Sequence, residues 1–328
     1  MDWFETLTGF SETSFDETRS NLAVEGRQLR SLVNGACFGI GGLSIPSLEE
    51  LRERAPFGQG ERRIKTRIVV GNVRDLLHDT SNNGALFQVA SQFNLLEMVS
   101  PEVSPADGVS RYALDLTQGP ACAIAAGAAT IYRNYFAQTP DAQLDGLADV
   151  GRTLSEILET PQRALWTMRN GYAMPSLSGL ERIAAYLAQA DEGEKDLLRS
   201  RLRIGIHADV EVTEAPGDNR PFVSQAFCSA MPVSYTYLDD ELWEAFASLT
   251  LEAAYEATLR AAILNTAAGG TNVVYLTQLG GGAFGNKPLW ILNAMRRALD
   301  LAQGSDLDVR LVSFGTPWVK MRELFDRA

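Results

Sequence analysis

Asn272-Val-Val-Tyr-Leu-Thr-Gln278 runs into Leu279-Gly-Gly-Gly-Ala-Phe-Gly-Asn286, and that into Lys287-Pro-Leu-Trp-Ile-Leu-Asn-Ala-Met-Arg-Arg-Ala-Leu299. The first stretch has the apolar, β-branched character of a buried strand. The third repeats apolar residues at helical spacing, after a proline suited to a first helical turn. A strand that turns through glycines into a helix is one unit of an alternating α/β fold. The same turn has the makings of an anion site, because glycine reaches positive φ and the amides at a helix start lack internal partners. Two readings stand side by side. Gly280, Gly281, Gly282, Ala283, Phe284, Gly285 and Asn286 form a cradle for a phosphate-bearing ligand, or they form a tight strand-to-helix connection with no ligand.

Outward from this unit the alternation continues in both directions. Downstream, a strand is expected at Val309 to Phe314 and a helix at 317–326. Upstream, Asp239 and Asp240 head a long amphipathic helix reaching about Asn265, preceded by strands near Leu202 to Val212 and Val223 to Val233 and a helix at Leu180 to Gln189. The small-residue run Gly119 to Tyr132 suits a helix lying flat on a sheet, and strands are expected at Ile64 to Val70 and Ala85 to Asn94. A short helix follows Pro46. Strands alternating with helices imply a three-layer α/β/α arrangement with a central mixed sheet. The polar first 60 residues or so read as an N-terminal extension packed on a single domain of residues 61–328.

Composition narrows the function. The 328 residues carry a formal charge of −12, which argues against a nucleic-acid partner, since phosphate neutralisation needs a basic face. Two histidines, His78 and His207, leave no multi-histidine metal site, and neither metal nor cofactor is expected. Cys37, Cys122 and Cys228 are far apart in small or apolar settings, as reduced core thiols would be. No apolar run approaches 18 residues and the first residues lack a leader pattern, so no membrane partner is expected and the expected compartment is the cytoplasm.

Four segments carry a family resemblance. Gly71-Asn72-Val73, then Ala90-Ser-Gln-Phe-Asn94, then Gly108 to Gly119, then Gly282-Ala-Phe-Gly-Asn286 resemble, in the same order, the ligand-binding elements of macrodomains, which bind ADP-ribose. The glycine loop and long insertions are similar to the poly(ADP-ribose) glycohydrolase-like branch. Asp107-Gly-Val-Ser-Arg-Tyr-Ala-Leu-Asp115-Leu-Thr-Gln118-Gly-Pro is closer to MavL-type hydrolases, bacterial effectors that remove ADP-ribose from an arginine of ubiquitin.

The resemblance implies an ADP-ribosyl hydrolase acting on ADP-ribosylated protein, ubiquitin among the candidates, and most simply on an arginine linkage. A non-catalytic reader of ADP-ribose is the alternative. It implies Asn72 at the adenine, where the family commonly has aspartate, and Asn83, Gly84, Asn94 and Gln118 around the ligand. The Gln-Glu-Glu motif of the polymer-cleaving enzymes is absent; Gln88-Val-Ala-Ser-Gln92 stands near its place. The expected catalytic pair is therefore Asp107 and Asp115, in the loop that the family places over the distal ribose. One carboxylate activates water and the other serves the leaving guanidine. Glu97 is a third acid to weigh.

Each of these residues also has a plain structural reading. Asp107 in Pro105-Ala-Asp-Gly108 is a turn residue, Asp115 a helix-entry residue, Asn83-Gly84 a turn and Gln118 a helix start; Phe284 caps the core.

Overall fold

The computed structural model describes residues 2–60 and 63–325. Seven strands make the central sheet and are numbered along the chain: β1 Gly42–Ser44, β2 Lys65–Val70, β3 Leu86–Ala90, β4 Gly205–Glu211, β5 Phe222–Cys228, β6 Val273–Leu276 and β7 Asp308–Ser313. Their spatial order is β1-β4-β5-β3-β6-β7-β2. Five neighbours, β5 to β2 in that order, run parallel, and β4 is antiparallel to both β5 and β1. Parallel neighbours need crossover connections, so helices cover both faces.

The alternation of side chains along β3 shows how the layers are held. Leu86 packs with Val274 and Ala226 on the face covered by the Asp240–Ala267 and Pro288–Leu301 helices. Phe87 and Val89 point the other way, to Phe227, Tyr275, Cys122, Ala125 and Ala129. Phe87 stacks on Tyr275 with ring centroids 4.4 Å apart. A strand buried on both faces must be apolar throughout, and Leu-Phe-Gln-Val-Ala is so except for Gln88, whose Nε2 donates to Thr258 Oγ1. Among the described residues no helix is long and apolar enough to cross a membrane.

The helix expected over 119–132 is in fact two, Gln118–Ala125 and Gly127–Tyr135, broken at Ala126. The segment leaving β4 causes the break. Gly127 N–H donates to Thr213 Oγ1, and Glu214 N–H donates to the Ala125 carbonyl. The final helix spans Val319–Phe325; the last residue of its expected range, 326, lies outside the described residues.

Residues 2–60 are built into the molecule at two levels. β1 extends the central sheet, while Leu22–Glu25, Gln28–Ser31 and Cys37–Gly39 form a separate three-stranded sheet. Phe4, Leu22, Leu29 and Ile40 share a core with Ile124, Ala128, Ile131 and Tyr135. Cys122 and Cys228 are buried, but Cys37, expected in the core, is exposed on the outer strand of that small sheet.

An ion cluster around buried Glu256 joins the helices on the far side of the sheet. Glu256 accepts from Arg52 (2.8 Å), Arg260 (2.9 Å) and Arg297 (2.9 Å), and Arg52 also holds Asp196 at 2.7 Å. Burial alone would raise the Glu256 carboxyl, but hydrogen bonds from Arg52 and Arg297 outweigh it and bring it down to about 2.

Candidate functional site

The parallel strands end on one side of the sheet, and a cleft opens there in two connected parts. An inner chamber of about 160 Å³ and an outer trough of about 710 Å³ share Asp115, Thr117, Gln118, Thr277, Gln278 and Gly282. The divide is thus made by the exit of β6, the glycine loop and the start of the Gln118–Ala125 helix.

The loop holds its shape with few groups. Gly280 and Gly285 both sit at φ +72°, where other residues are strained. A Cβ on Gly285 would lie 1.9 Å from Ser234 Oγ, and one on Gly280 2.4 Å from Ala230 Cβ. Buried Asn286 closes the loop on itself: its N–H donates to the Gly280 carbonyl at 2.9 Å and its Nδ2 to the Met231 carbonyl at 2.8 Å. Gly282 is different. A Cβ there would meet nothing within 4 Å, so no contact inside the protein calls for glycine at this position. Among the described residues the Gly282 and Ala283 amides meet no backbone acceptor, and both residues line the cleft.

Phe284 forms one wall of the chamber with Tyr172 and Tyr235, the three ring centroids lying 5.0 to 5.6 Å apart. Two carboxyl groups face the same space. Asp115, half-buried, lines both chamber and trough, and its Oδ1 accepts from Thr117 N–H at 2.8 Å. Glu97, 4% exposed, lines the chamber, and its Oε1 has no hydrogen-bond partner. Burial raises the Glu97 carboxyl well above the usual carboxylate range; Arg133 pulls against this and Asp115 adds to it. Arg133 is itself buried, with no carboxylate bonded to it among the described residues. It donates to Leu95 O and Thr130 Oγ1, meets His207 Nδ1 at 3.2 Å, and burial takes it down to about 10.

The structure gathers some of the expected residues and scatters others. Asn72 lines the trough, with its Oδ1 occupied by the Arg74 N–H as a helix cap. Gln118 also lines the cleft, and its amide staples helix to sheet: Oε1 accepts from Ala90 N–H at 2.9 Å and Nε2 donates to Gln88 O at 2.8 Å. Asp107 does not join Asp115. Its Oδ2 accepts from Ser104 N–H and Ser104 Oγ, capping its own short turn, and it lines neither part of the cleft.

Asn83 and Gly84 precede β3 and so lie at the opposite end of that strand from the cleft. Asn83 Oδ1 accepts from Phe222 N–H, and Gly84 turns the chain at φ +76°. Asn94 is buried, bonded to Gln143 Oε1 and the Leu96 N–H, and lines neither part. Its expected place rested on a strand running to residue 94, but β3 stops at Ala90 and Leu95 turns at φ +65°.

Several cleft residues went unremarked in the sequence. Phe314, 90% exposed, and Trp318 border the trough, as does Leu116. The strand expected through Phe314 ends at Ser313, and two aromatic residues flanking Gly315-Thr-Pro317 at a strand's end have no place in a core. Tyr172, Tyr235 and Arg74 had no such signal. The loop that carries Asp115 is moored from the amino terminus. Glu12 accepts from the Val109 and Ser110 amides and from Tyr135 Oη, and Trp3 Nε1 donates to Ser110 O.

These features define an α/β/α protein whose cleft lies outside the carboxyl ends of a parallel set of strands. No protein-family model matches the chain, and no curated protein sequence does. Among solved structures it is similar to poly(ADP-ribose) glycohydrolase from Thermomonospora curvata, with 13% identity, 95% of this chain and 96% of that one covered, and a TM-score of 0.44. The enzyme from Deinococcus radiodurans in complex with ADP-ribose aligns with 15% identity, 87% and 93% coverage, and a TM-score of 0.43.

Proposed function

We propose that this chain binds ADP-ribose along the cleft and hydrolyses an ADP-ribosyl linkage, with protein arginine as the modified residue and ubiquitin among the candidate proteins. The observation that carries the reading is Gly282. A glycine that the protein's own packing does not need, in the lining of a cleft and with an amide that meets no backbone acceptor among the described residues, leaves room for a ligand to touch the backbone. The two sides of the cleft then suit the two ends of the ligand. Phe314 and Trp318 offer faces for a purine in the trough, the 280–286 loop takes the diphosphate, and the chamber takes the distal ribose.

Asp115 stands where the halves meet and is the base for the attacking water. A chamber walled by Tyr172, Tyr235 and Phe284 and bearing carboxyl groups also suits a guanidinium, through ring faces and charge-assisted hydrogen bonds. The motif order in the sequence points the same way.

The test is release of free ADP-ribose from arginine-ADP-ribosylated protein, followed by chromatography, beside thermal unfolding with and without ADP-ribose. Ligand at 100 times its dissociation constant adds about 2.7 kcal/mol of stability. Release together with a thermal shift supports the reading; a shift without release leaves a reader of ADP-ribose; neither would overturn both.

A further inference from the structure

Asp115 accounts for one carboxyl of the chamber and leaves the other without a task. We infer that Glu97 is the general acid of the reaction, giving its proton to the atom that leaves C1″ while Asp115 takes one from water. This rests on the hydrolase reading above.

The placement of Glu97 is built rather than incidental. The backbone on either side is pinned by side chains: Glu97 N–H donates to Tyr112 Oη at 2.9 Å, Met98 N–H to Gln92 Oε1 at 2.7 Å, and Tyr172 Oη donates to Met98 O at 2.5 Å. A Cβ on Gly119 would lie 2.1 Å from the Ala90 carbonyl oxygen and 2.2 Å from Glu97 Oε2, so glycine at the start of the Gln118–Ala125 helix makes room for both the end of β3 and the carboxyl. The second oxygen, Oε1, is buried and has no hydrogen-bond partner among the described residues, in a side chain that lines the chamber. Buried polar atoms are almost always paired, and an exception on a cavity wall marks a group whose partner is a ligand.

The surroundings hold the proton in place. Asp115, Tyr112, Cys122 and Tyr172 offer no positive charge, and Arg133, the one cation acting on Glu97 among the described residues, forms its own bonds to Leu95 O, Thr130 and His207. Burial outweighs that cation and keeps the carboxyl protonated above the usual carboxylate range. A neutral acid beside a carboxylate is the division of labour that glycosidic hydrolysis requires.

The step balances without any further reagent. The C1″–N bond breaks with its electron pair going to nitrogen, which takes the Glu97 proton; water oxygen bonds to C1″ and its proton passes to Asp115. Exchange with solvent returns Asp115 to carboxylate and Glu97 to acid. The substrates that need Glu97 are those whose leaving atom is strongly basic once freed, a guanidine nitrogen or a sugar oxygen alike.

Glu97→Gln keeps the shape and the neutral charge but has no proton to give. It is assayed on ADP-ribosyl-arginine and on ADP-ribose linked to p-nitrophenol, which leaves unaided as the phenolate, with ADP-ribose affinity measured by calorimetry. The expected result is a loss of about 10²- to 10³-fold on the arginine substrate, a change of only a few-fold on the nitrophenyl substrate, and unchanged affinity. Equal losses on both substrates, or none on arginine, would overturn the assignment while leaving the hydrolase reading intact. Wild-type protein that binds ADP-ribose but cleaves neither substrate would remove the hydrolase reading and Glu97's role with it.

Discussion

Glu256 and Glu97 are both buried glutamates, and they are treated in opposite ways. Glu256 lies among Arg52, Arg260 and Arg297, and their hydrogen bonds bring its carboxyl down to about 2. Glu97 has one carboxyl oxygen bonded to nothing, and burial drives it upward. The first arrangement satisfies itself and ties helices together. The second is incomplete without something that enters the chamber. A buried charge with a full set of partners belongs to the scaffold, and one without them marks the place where chemistry is done.

The sharpest way to break the comparison is Glu256→Ala, which strands three arginines and is expected to cost about 3–5 kcal/mol in urea unfolding, with ADP-ribose affinity of the folded fraction unchanged. The pH dependence gives the same contrast. The Glu256 carboxyl is lowered from 4.5 to about 2, so its stabilisation is present above 4.5 and is lost as pH falls from there towards 2. The stability difference between wild type and Glu256→Gln should shrink across that window.

Asp115→Asn is expected to lower kcat by about 10²-fold, or roughly 2.7 kcal/mol in the barrier, without a change in unfolding midpoint. A large stability loss would place Asp115 with the scaffold after all. Two glycines of one loop extend the contrast. Gly285→Val meets both a left-handed φ and Ser234, and should cost about 1–3 kcal/mol of stability. Gly282→Val meets open space, and should leave stability within about 0.5 kcal/mol while weakening ADP-ribose binding in calorimetry. The smallest effect is Asp107→Ala, about 0.5–1 kcal/mol from a lost cap, with turnover unchanged.

What was legible in the sequence was what local rules control. The strand, glycine turn and helix of residues 272–301 showed themselves by period and by Gly and Pro placement, and alternation along the chain implied the mixed sheet. The turn at Pro105-Ala-Asp-Gly108 was legible too, and its plain structural reading matches the observed cap on Asp107.

Asn94 went astray because a strand boundary four residues early moves a side chain from sheet edge to buried loop. The chamber was out of reach for a different reason. Tyr172, Tyr235 and Phe284 come from three distant segments, and Glu97 is buried by Tyr112, Gly119 and the sheet together, none of which its neighbours in sequence foretell.

The mooring of the Asp115 loop by Glu12 and Trp3 makes the opening residues a working part of the cleft, whose trough Trp3 also lines. A single proteolytic nick in the first turns of the chain would then slacken that loop and silence the protein at a distance, with its sheet, its glycines and both its acids still in place.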